Sequence, residues 1–262
     1  MPVAEVRGAR IAYDDTGGSG PPVILAHGFL MDRSMFDPQV AALAGTHRMI
    51  TWDERGFGDT EYDGEPFTYW DSAEDCLALL DHLDIDRAVV GGMSQGGFIS
   101  LRTALLAPDR VRGLILIDTQ AGTEDPEVIP LYAAMIDDWV TNGVSDELAA
   151  TVAGIILGET GITASYTAKW QARPQEGLRQ PGATLLTRDS VEDRLGEIAA
   201  PALVIHGTAD AAITMDQAEQ LAAGLPGCDG VVVIDGGTHA ANLTHPDEVN
   251  GAIQRFLERL PA

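Results

Sequence analysis

Continuous apolar runs alternate with amphipathic segments along much of this 262-residue chain, and this alternation constrains the fold more than any other feature. The runs are PVILAHG (22–28), HRMITWD (47–53), RAVVGG (87–92) and VRGLILID (111–118). Strands buried on both faces form near-continuous apolar runs, and parallel strands need a crossover connection, usually a helix. The pattern therefore predicts an α/β fold, a mostly parallel sheet with helices on both faces, preceded by an antiparallel edge hairpin around Gly8.

The pattern changes after the run that ends at 118. Between about 123 and 193 no strand-like run occurs. Three segments there, EVIPLYAAMIDDWVTNG, DELAATVAGIIL and ASYTAKWQARP, predict short helices broken by Gly and Pro. Strand patterns resume in PALVIHG and GVVVID. We therefore expect a core in two parts, 1–122 and 194–262, with a helical cap inserted at 123–193.

Composition restricts the partners of the chain. Sixteen Lys and Arg residues against 40 Asp and Glu give a net charge of −24, which argues against binding to nucleic acid or to anionic membranes. No apolar stretch approaches the roughly 20 residues that span a bilayer, and the first residues lack a secretory signal pattern. We expect a cytoplasmic protein with a small-molecule substrate, and the sequence leaves a homo-oligomer open.

The cysteines and histidines do not form a metal-binding pattern. Cys76 and Cys228 lie far apart, so a disulfide framework is not expected. No cluster of His, Cys and carboxylate residues has the spacing of metal ligands, and we expect no metal site.

Ser94 lies in GGMSQGG (91–97), between a strand pattern and a helix pattern. The central GMSQG has the form G-x-S-x-G, in which a sharp turn projects the serine from the sheet. The turn also places Ser94 at a helix N-terminus, where negative charge is stabilised. This context favours a nucleophile, although the chain has 29 glycines and a plain turn serine is the alternative.

Two late segments supply a base and an acid. A serine hydroxyl needs a base to take its proton, and the base needs an orienting carboxylate. Asp210 follows a strand pattern in LVIHGTADAAIT, and His239 follows one in VVVIDGGTHAANLTHP. Both are predicted at the carboxyl edge of the sheet, where open α/β folds build their sites. Asp118, at the end of another strand pattern, is a second candidate for the acid.

The order Ser94, Asp210, His239 is that of the α/β-hydrolase superfamily. With HGF at 27–29 and WDERGFGDT at 52–60, the chain resembles that superfamily over almost its whole length. The resemblance implies that the backbone N–H groups of Phe29 and Gln95 form an oxyanion hole and that His27 is structural. Haloalkane dehalogenases and epoxide hydrolases use aspartate as the nucleophile, so the serine disfavours these two activities.

The remaining relatives implied by the resemblance are enol-lactonases, arylesterases, cofactor-free haloperoxidases and carbon–carbon hydrolases. Our first hypothesis is a cofactor-free serine hydrolase that cleaves a small, neutral, apolar ester or lactone. The alternatives are a carbon–carbon hydrolase of a diketone-type substrate and a perhydrolase. A hypothesis from another class is a ligand-binding homologue with slow turnover.

Several apolar side chains are candidates for an apolar substrate pocket, although packing is their default role. They are Met31, Met93, Tyr132, Met135, Ile136, Trp139 and Trp170. An anionic substrate would need cations, and the cap offers Lys169, Arg173 and Arg179. We interpret these three as a solvated helix face. The net charge of −24 also works against an anionic substrate at long range.

Overall fold

Within residues 2–260, which the computed structural model describes, nine strands form one mixed sheet. Residues 1, 261 and 262, at the ends of the predicted core ranges 1–122 and 194–262, lie outside the described residues. The strands are β1 (Val3–Val6), β2 (Ala9–Asp15), β3 (Pro22–Ala26), β4 (Arg48–Trp52), β5 (Glu61–Tyr62), β6 (Ala88–Met93), β7 (Val111–Ile117), β8 (Ala202–Gly207) and β9 (Cys228–Ile234). Their order is β1-β2-β4-β3-β6-β7-β8-β9, and β5 pairs with β2.

The sheet is parallel from β4 to β9 along this order and antiparallel at the β1 edge. The β1–β2 hairpin turns at Arg7 and Gly8, which both have positive φ, as the short link predicted. Because β3 and β6 to β9 run parallel, the loops after their carboxyl ends meet at one edge of the sheet.

Helices cover both faces of the sheet, which confirms the predicted fold class. They are α1 (Asp37–Leu43), α2 (Tyr69–His82), α3 (Gln95–Leu106), α4 (Ile129–Asn142), α5 (Asp146–Ile156), α6 (Thr163–Ala172), α7 (Arg179–Leu186), α8 (Met215–Gly224), α9 (Ala241–Thr244) and α10 (Pro246–Arg259). Successive strand residues point to opposite faces. Ile24 accordingly joins the core under α2 and α3, whereas Leu25 joins the core under α1 and α10.

Helices α4 to α7 lie between β7 and β8, and we call them the cap helices. Three of them match predicted segments, whereas α7 was not predicted from the sequence. Within residues 2–260, no helix has both the length and the hydropathy needed to cross a bilayer.

Candidate active site

Ser94 lies alone between β6 and α3, in a left-handed backbone conformation with φ of 50°. The close approach of β3 makes this turn dependent on glycine, since a Cβ on Gly92 or Gly96 would collide with the carbonyl oxygen of Ala26. The Thr119 hydroxyl donates to the Ser94 carbonyl oxygen at 2.7 Å and secures the turn from the neighbouring strand end. The predicted strand–serine–helix context of Ser94 is therefore present.

His239 and Asp210 are hydrogen-bonded across two loops. His239 follows β9, Asp210 follows β8, and His239 Nδ1 donates to Asp210 Oδ2 at 2.8 Å. The other carboxylate oxygen of Asp210 accepts from the backbone N–H groups of Ala212, at 2.8 Å, and Ile213, at 3.0 Å. With Nδ1 as the donor, Nε2 of His239 is left as the proton acceptor.

The electrostatics of this pair favour the charged carboxylate. Burial raises the pKa of Asp210, but the charge of His239 and three hydrogen bonds outweigh burial and hold that pKa below its usual value. Burial lowers the pKa of His239, but the charge of Asp210 and their hydrogen bond outweigh it, so the pKa of His239 lies above its ordinary value. Asp210 therefore stabilises the imidazolium that forms when His239 takes a proton.

Asp118, the other candidate acid, lies beside this pair. Its carboxylate oxygens accept at 2.9 Å from the backbone N–H groups of Gly207 and Ala241. Burial, reinforced by the charge of Asp210, raises the pKa of Asp118 to about 8. Asp118 ties the strand before Asp210 to the loop after His239, and it is Asp210 that bonds to the imidazole.

Among the described residues, one group of side chains is spaced closely enough to be considered as a cation site. It consists of Asp118, His206 and Asp210, whose potential ligand atoms lie within 4.8 Å of one another. The sequence did not predict this grouping. Their oxygens are already engaged, however, since each carboxylate accepts two or more hydrogen bonds. His206 Nε2 also lies 3.1 Å from the carbonyl oxygen of Ile213, to which it donates. The donor set therefore fits a buried hydrogen-bond network better than a metal centre.

The two backbone N–H groups expected to form an oxyanion hole have no acceptor among residues 2–260. They belong to Phe29, in the loop after β3, and to Gln95, the first residue of α3. His27 supports the loop after β3 through two hydrogen bonds. Its Nδ1 donates to the Gly28 carbonyl oxygen at 2.8 Å, and its Nε2 accepts from the Glu54 N–H at 3.0 Å. Burial lowers the pKa of His27 and keeps it neutral.

An apolar pocket opens onto Ser94 and His239 and has a volume of about 90 Å³. Four of its lining residues, Tyr132, Met135, Ile136 and Trp139, recur at helical spacing along one face of α4. Phe29 and Leu30, from the loop after β3, also line this pocket. These four cap side chains were predicted as pocket residues.

Three other predicted pocket residues lie elsewhere, which corrects the prediction for them. Met93 is buried at the end of β6, with its sulfur against Gly28. Met31 and Trp170 line a second cavity, between α6 and the loop after β3. The sequence pattern marks all three as buried, but it does not tell which side of the loop each one faces.

The sequence did not predict the rest of the lining. Leu148, Val152, Ile155 and Ile156 come from one stripe of α5, and this spacing was a detectable signal. Leu178, Leu185, Ala212 and Ile213 complete the apolar lining.

Glu124 is the charged carboxylate that lines this pocket, and it was not predicted either. Arg188 Nη1 donates to Glu124 Oε1 at 2.8 Å, and Arg188 is buried behind it. None of Lys169, Arg173 or Arg179 lines the pocket. Among the described residues, no lysine or arginine therefore lines this pocket.

Comparison with known proteins identifies the family. Residues 21–160 match the family model described as alpha/beta hydrolase fold, and the chain belongs to this family. A relative from Rhizobium rhizogenes that carries the name of the carbamate hydrolase RutD is 31% identical, over 90% of this chain and 92% of its own. Another from Synechocystis sp., which carries the name of a non-heme chloroperoxidase, is 28% identical over 95% of each chain.

A solved structure also resembles the chain over nearly its whole length. The enol-lactonase from Burkholderia xenovorans LB400 superimposes with a TM-score of 0.90 and 29% identity, over 98% of this chain and 100% of the other. These relatives carry the names of different activities, so the family alone does not fix the substrate.

Proposed function

We propose that this protein is a serine hydrolase that cleaves a small, neutral, apolar ester or lactone through an acyl-enzyme. The observation that carries the proposal is the 2.8 Å hydrogen bond between His239 and Asp210, at the mouth of the pocket that Ser94 also lines. A nucleophile, a base and an orienting carboxylate are the groups that acyl transfer requires.

In this mechanism Ser94 Oγ attacks the carbonyl carbon while His239 Nε2 takes the hydroxyl proton. The carbonyl oxygen becomes an oxyanion and accepts hydrogen bonds from the unpartnered N–H groups of Phe29 and Gln95. His239 then returns the proton to the alcohol oxygen, which leaves, and the acyl group stays on Ser94. Water, deprotonated by His239, attacks the acyl-enzyme and releases the acid with Ser94 restored.

The lining of the pocket supports a neutral, apolar substrate. Its side chains are aliphatic or aromatic apart from the reacting groups, the Tyr132 hydroxyl and the Glu124 carboxylate. A carboxylated substrate would lie near the charge of Glu124, and no described lysine or arginine lines the pocket, whereas an apolar acyl group gains from burial. The likeness to an enol-lactonase supports the lactone half of the proposal.

The test is hydrolysis of p-nitrophenyl acetate, p-nitrophenyl butyrate and a simple aliphatic lactone by the wild type and by Ser94→Ala. Ser165→Ala, in an exposed part of α6, is the matched control. We expect turnover and fluorophosphonate labelling in the wild type and the control, and neither in Ser94→Ala.

Labelling of Ser94 without turnover of esters or lactones would contradict the ester and lactone assignment and favour carbon–carbon cleavage. If the wild type shows neither turnover nor fluorophosphonate labelling, the result would contradict the role of Ser94 as nucleophile and favour a ligand-binding homologue.

The relative named as a chloroperoxidase favours a second candidate, perhydrolysis. In that reaction hydrogen peroxide replaces water as the attacker of the acyl-enzyme and releases a peracid. Peroxide-dependent bromination of monochlorodimedone in acetate buffer, lost in Ser94→Ala, would support it.

A further inference from the structure

The cap helix α6 contacts the loop after β3 through two consecutive side chains. Trp170 Nε1 donates to the Leu30 carbonyl oxygen at 2.8 Å. Lys169 Nζ donates to Asp32 Oδ2 at 2.8 Å, two residues further along the same loop. The loop that carries Phe29 is therefore bonded to the cap as well as to the core.

Leu30 occupies an unfavourable backbone conformation, with φ of 66°. It is the third residue of a tight turn that closes with a 3.0 Å hydrogen bond from the Met31 N–H to the Gly28 carbonyl oxygen, and Phe29 is the second residue. A positive φ at the third position favours glycine, and a leucine there is strained. Such a conformation persists only where its surroundings hold it.

The surroundings of the turn divide between core and cap. On the core side the Phe29 ring packs edge-on against the ring of Phe57, with centroids 5.6 Å apart. Among the described residues, the Leu30 carbonyl oxygen accepts a hydrogen bond from Trp170 and from no other donor. Trp170 itself is 2% exposed, whereas Leu30 is half-buried.

We propose that Trp170 is a positioning residue, whose indole N–H fixes the Leu30 carbonyl and thereby the turn that presents the Phe29 N–H to the oxyanion. The inference rests on the proposed function, in which Phe29 is an oxyanion donor. Trp170 lines the second cavity and not the apolar pocket, so it acts through the turn without touching the substrate. In this way the cap sets the geometry of the oxyanion hole.

The test is Trp170→Phe, which keeps an aromatic ring and removes the N–H donor. We expect kcat for the best ester to fall about tenfold with KM within about twofold, since small displacements of positioned groups cost rate rather than binding. Affinity for a trifluoromethyl ketone, which forms a tetrahedral adduct with Ser94, should fall by the same factor.

Trp70→Phe is the matched control, because it removes another indole N–H, on α2, which donates to Asp189 Oδ2 at 3.0 Å. Lys169→Gln removes the neighbouring ion pair while keeping Trp170. Both controls should keep kcat and the ketone affinity within about twofold of wild type, because exposed ion pairs and surface contacts contribute little.

Hydrogen–deuterium exchange of peptides covering residues 27–34 gives a readout that needs no turnover. Trp170→Phe should exchange faster there than the wild type, and Trp70→Phe should not. Unchanged exchange, or an equal loss of kcat in Lys169→Gln, would overturn the role of Trp170. If the wild type hydrolyses neither esters nor lactones, the proposed function fails, and the exchange data still decide whether Trp170 holds the turn.

Discussion

The imidazole of His239 donates through Nδ1 to Asp210, and this 2.8 Å bond sets both the tautomer and the basicity of the proposed general base. The charge of Asp210 and the bond to it overcome the effect of burial and place the pKa of His239 above its ordinary value. The base form, which accepts the proton of Ser94, therefore predominates only above that raised pKa.

The pH dependence of hydrolysis follows from this pair. We expect kcat/KM to rise with pH through an apparent pKa above about 6.5, the ordinary value for histidine. In Asp210→Asn the apparent pKa should fall, because the charge that raised it is gone. The rate should fall by about 10⁴-fold, as expected when the orienting carboxylate of a triad is lost.

Asp216→Asn, in the exposed first turn of α8, is the charge-matched control and should keep the wild-type profile. Profiles of kcat/KM from pH 5 to 9 decide the matter. An Asp210→Asn enzyme with wild-type rate and pKa would remove Asp210 from the mechanism.

Glu54 makes the stability of the protein depend on pH. It is buried, one oxygen accepts from the Ser72 hydroxyl, and the other has no partner among the described residues. Burial raises the pKa of Glu54 to about 8. Because its folded-state pKa exceeds its unfolded value, the folded state binds more protons between about pH 4.5 and 8, and stability falls as pH rises through that range.

Glu54→Gln keeps the acceptor for Ser72 and removes the ionisable group. Relative to the wild type, its free energy of unfolding should therefore increase with pH, by at least about 1 kcal/mol between pH 5.5 and 8.5. Urea unfolding at the two pH values measures this difference, and Glu65→Gln, on an exposed loop, is the control. A difference that stays constant with pH would mean that Glu54 is ionised in the folded protein.

The position of the site was predictable because each of its residues follows a strand. Ser94, Asp210 and His239 lie in the turn or loop that follows an apolar strand, and parallel strands bring such loops to one edge whatever their distance along the chain. The supporting contacts of Asp118 were not predictable, since they depend on which backbone N–H groups the folded loops present to a carboxylate.

The cap was less predictable because a helical stripe shows that a side chain is buried but not what it is buried against. Trp139 faces the apolar pocket, whereas Trp170 faces the second cavity. Pro181 and Gly182, near the start of α7, are unfavourable in a helix, so the sequence did not predict that helix.

Outside the cap, α8 begins with a capping box between Thr214 and Gln217. The sequence contains this signal, and our predictions did not use it.

The charge of Glu124 should control the preference for neutral substrates. Its carboxylate lines the apolar pocket and accepts from Arg188, which is buried. Glu124→Gln would leave the Arg188 charge uncompensated at the pocket wall. We expect the ratio of kcat/KM for a carboxylated ester to that for its neutral analogue to rise about tenfold, the effect of roughly 1.4 kcal/mol of altered charge interaction.

Glu127→Gln, three residues further along the chain and exposed, should leave that ratio unchanged. Competition kinetics with the two analogues at low ionic strength give the measurement. A wild type that prefers the carboxylated analogue would contradict the neutral-substrate proposal directly.

Gly96 and Gly154 should respond differently to an added side chain, because Gly96 lies against the end of β3 at the Ser94 turn and Gly154 does not. Gly96 and Gly154 both lie in helices, α3 and α5, but a Cβ on Gly96 would collide with the Ala26 carbonyl oxygen, whereas one on Gly154 would meet no atom within 4 Å. Gly154→Ala should raise the free energy of unfolding by about 0.5–1 kcal/mol through helix propensity and leave kcat unchanged.

Gly96→Ala should lower the free energy of unfolding by about 3 kcal/mol or more and abolish fluorophosphonate labelling of Ser94, because β3 and α3 cannot both keep their places. Thermal and urea unfolding with parallel labelling distinguishes the two, and a Gly96→Ala protein that folds and labels normally would show that the turn tolerates a side chain there.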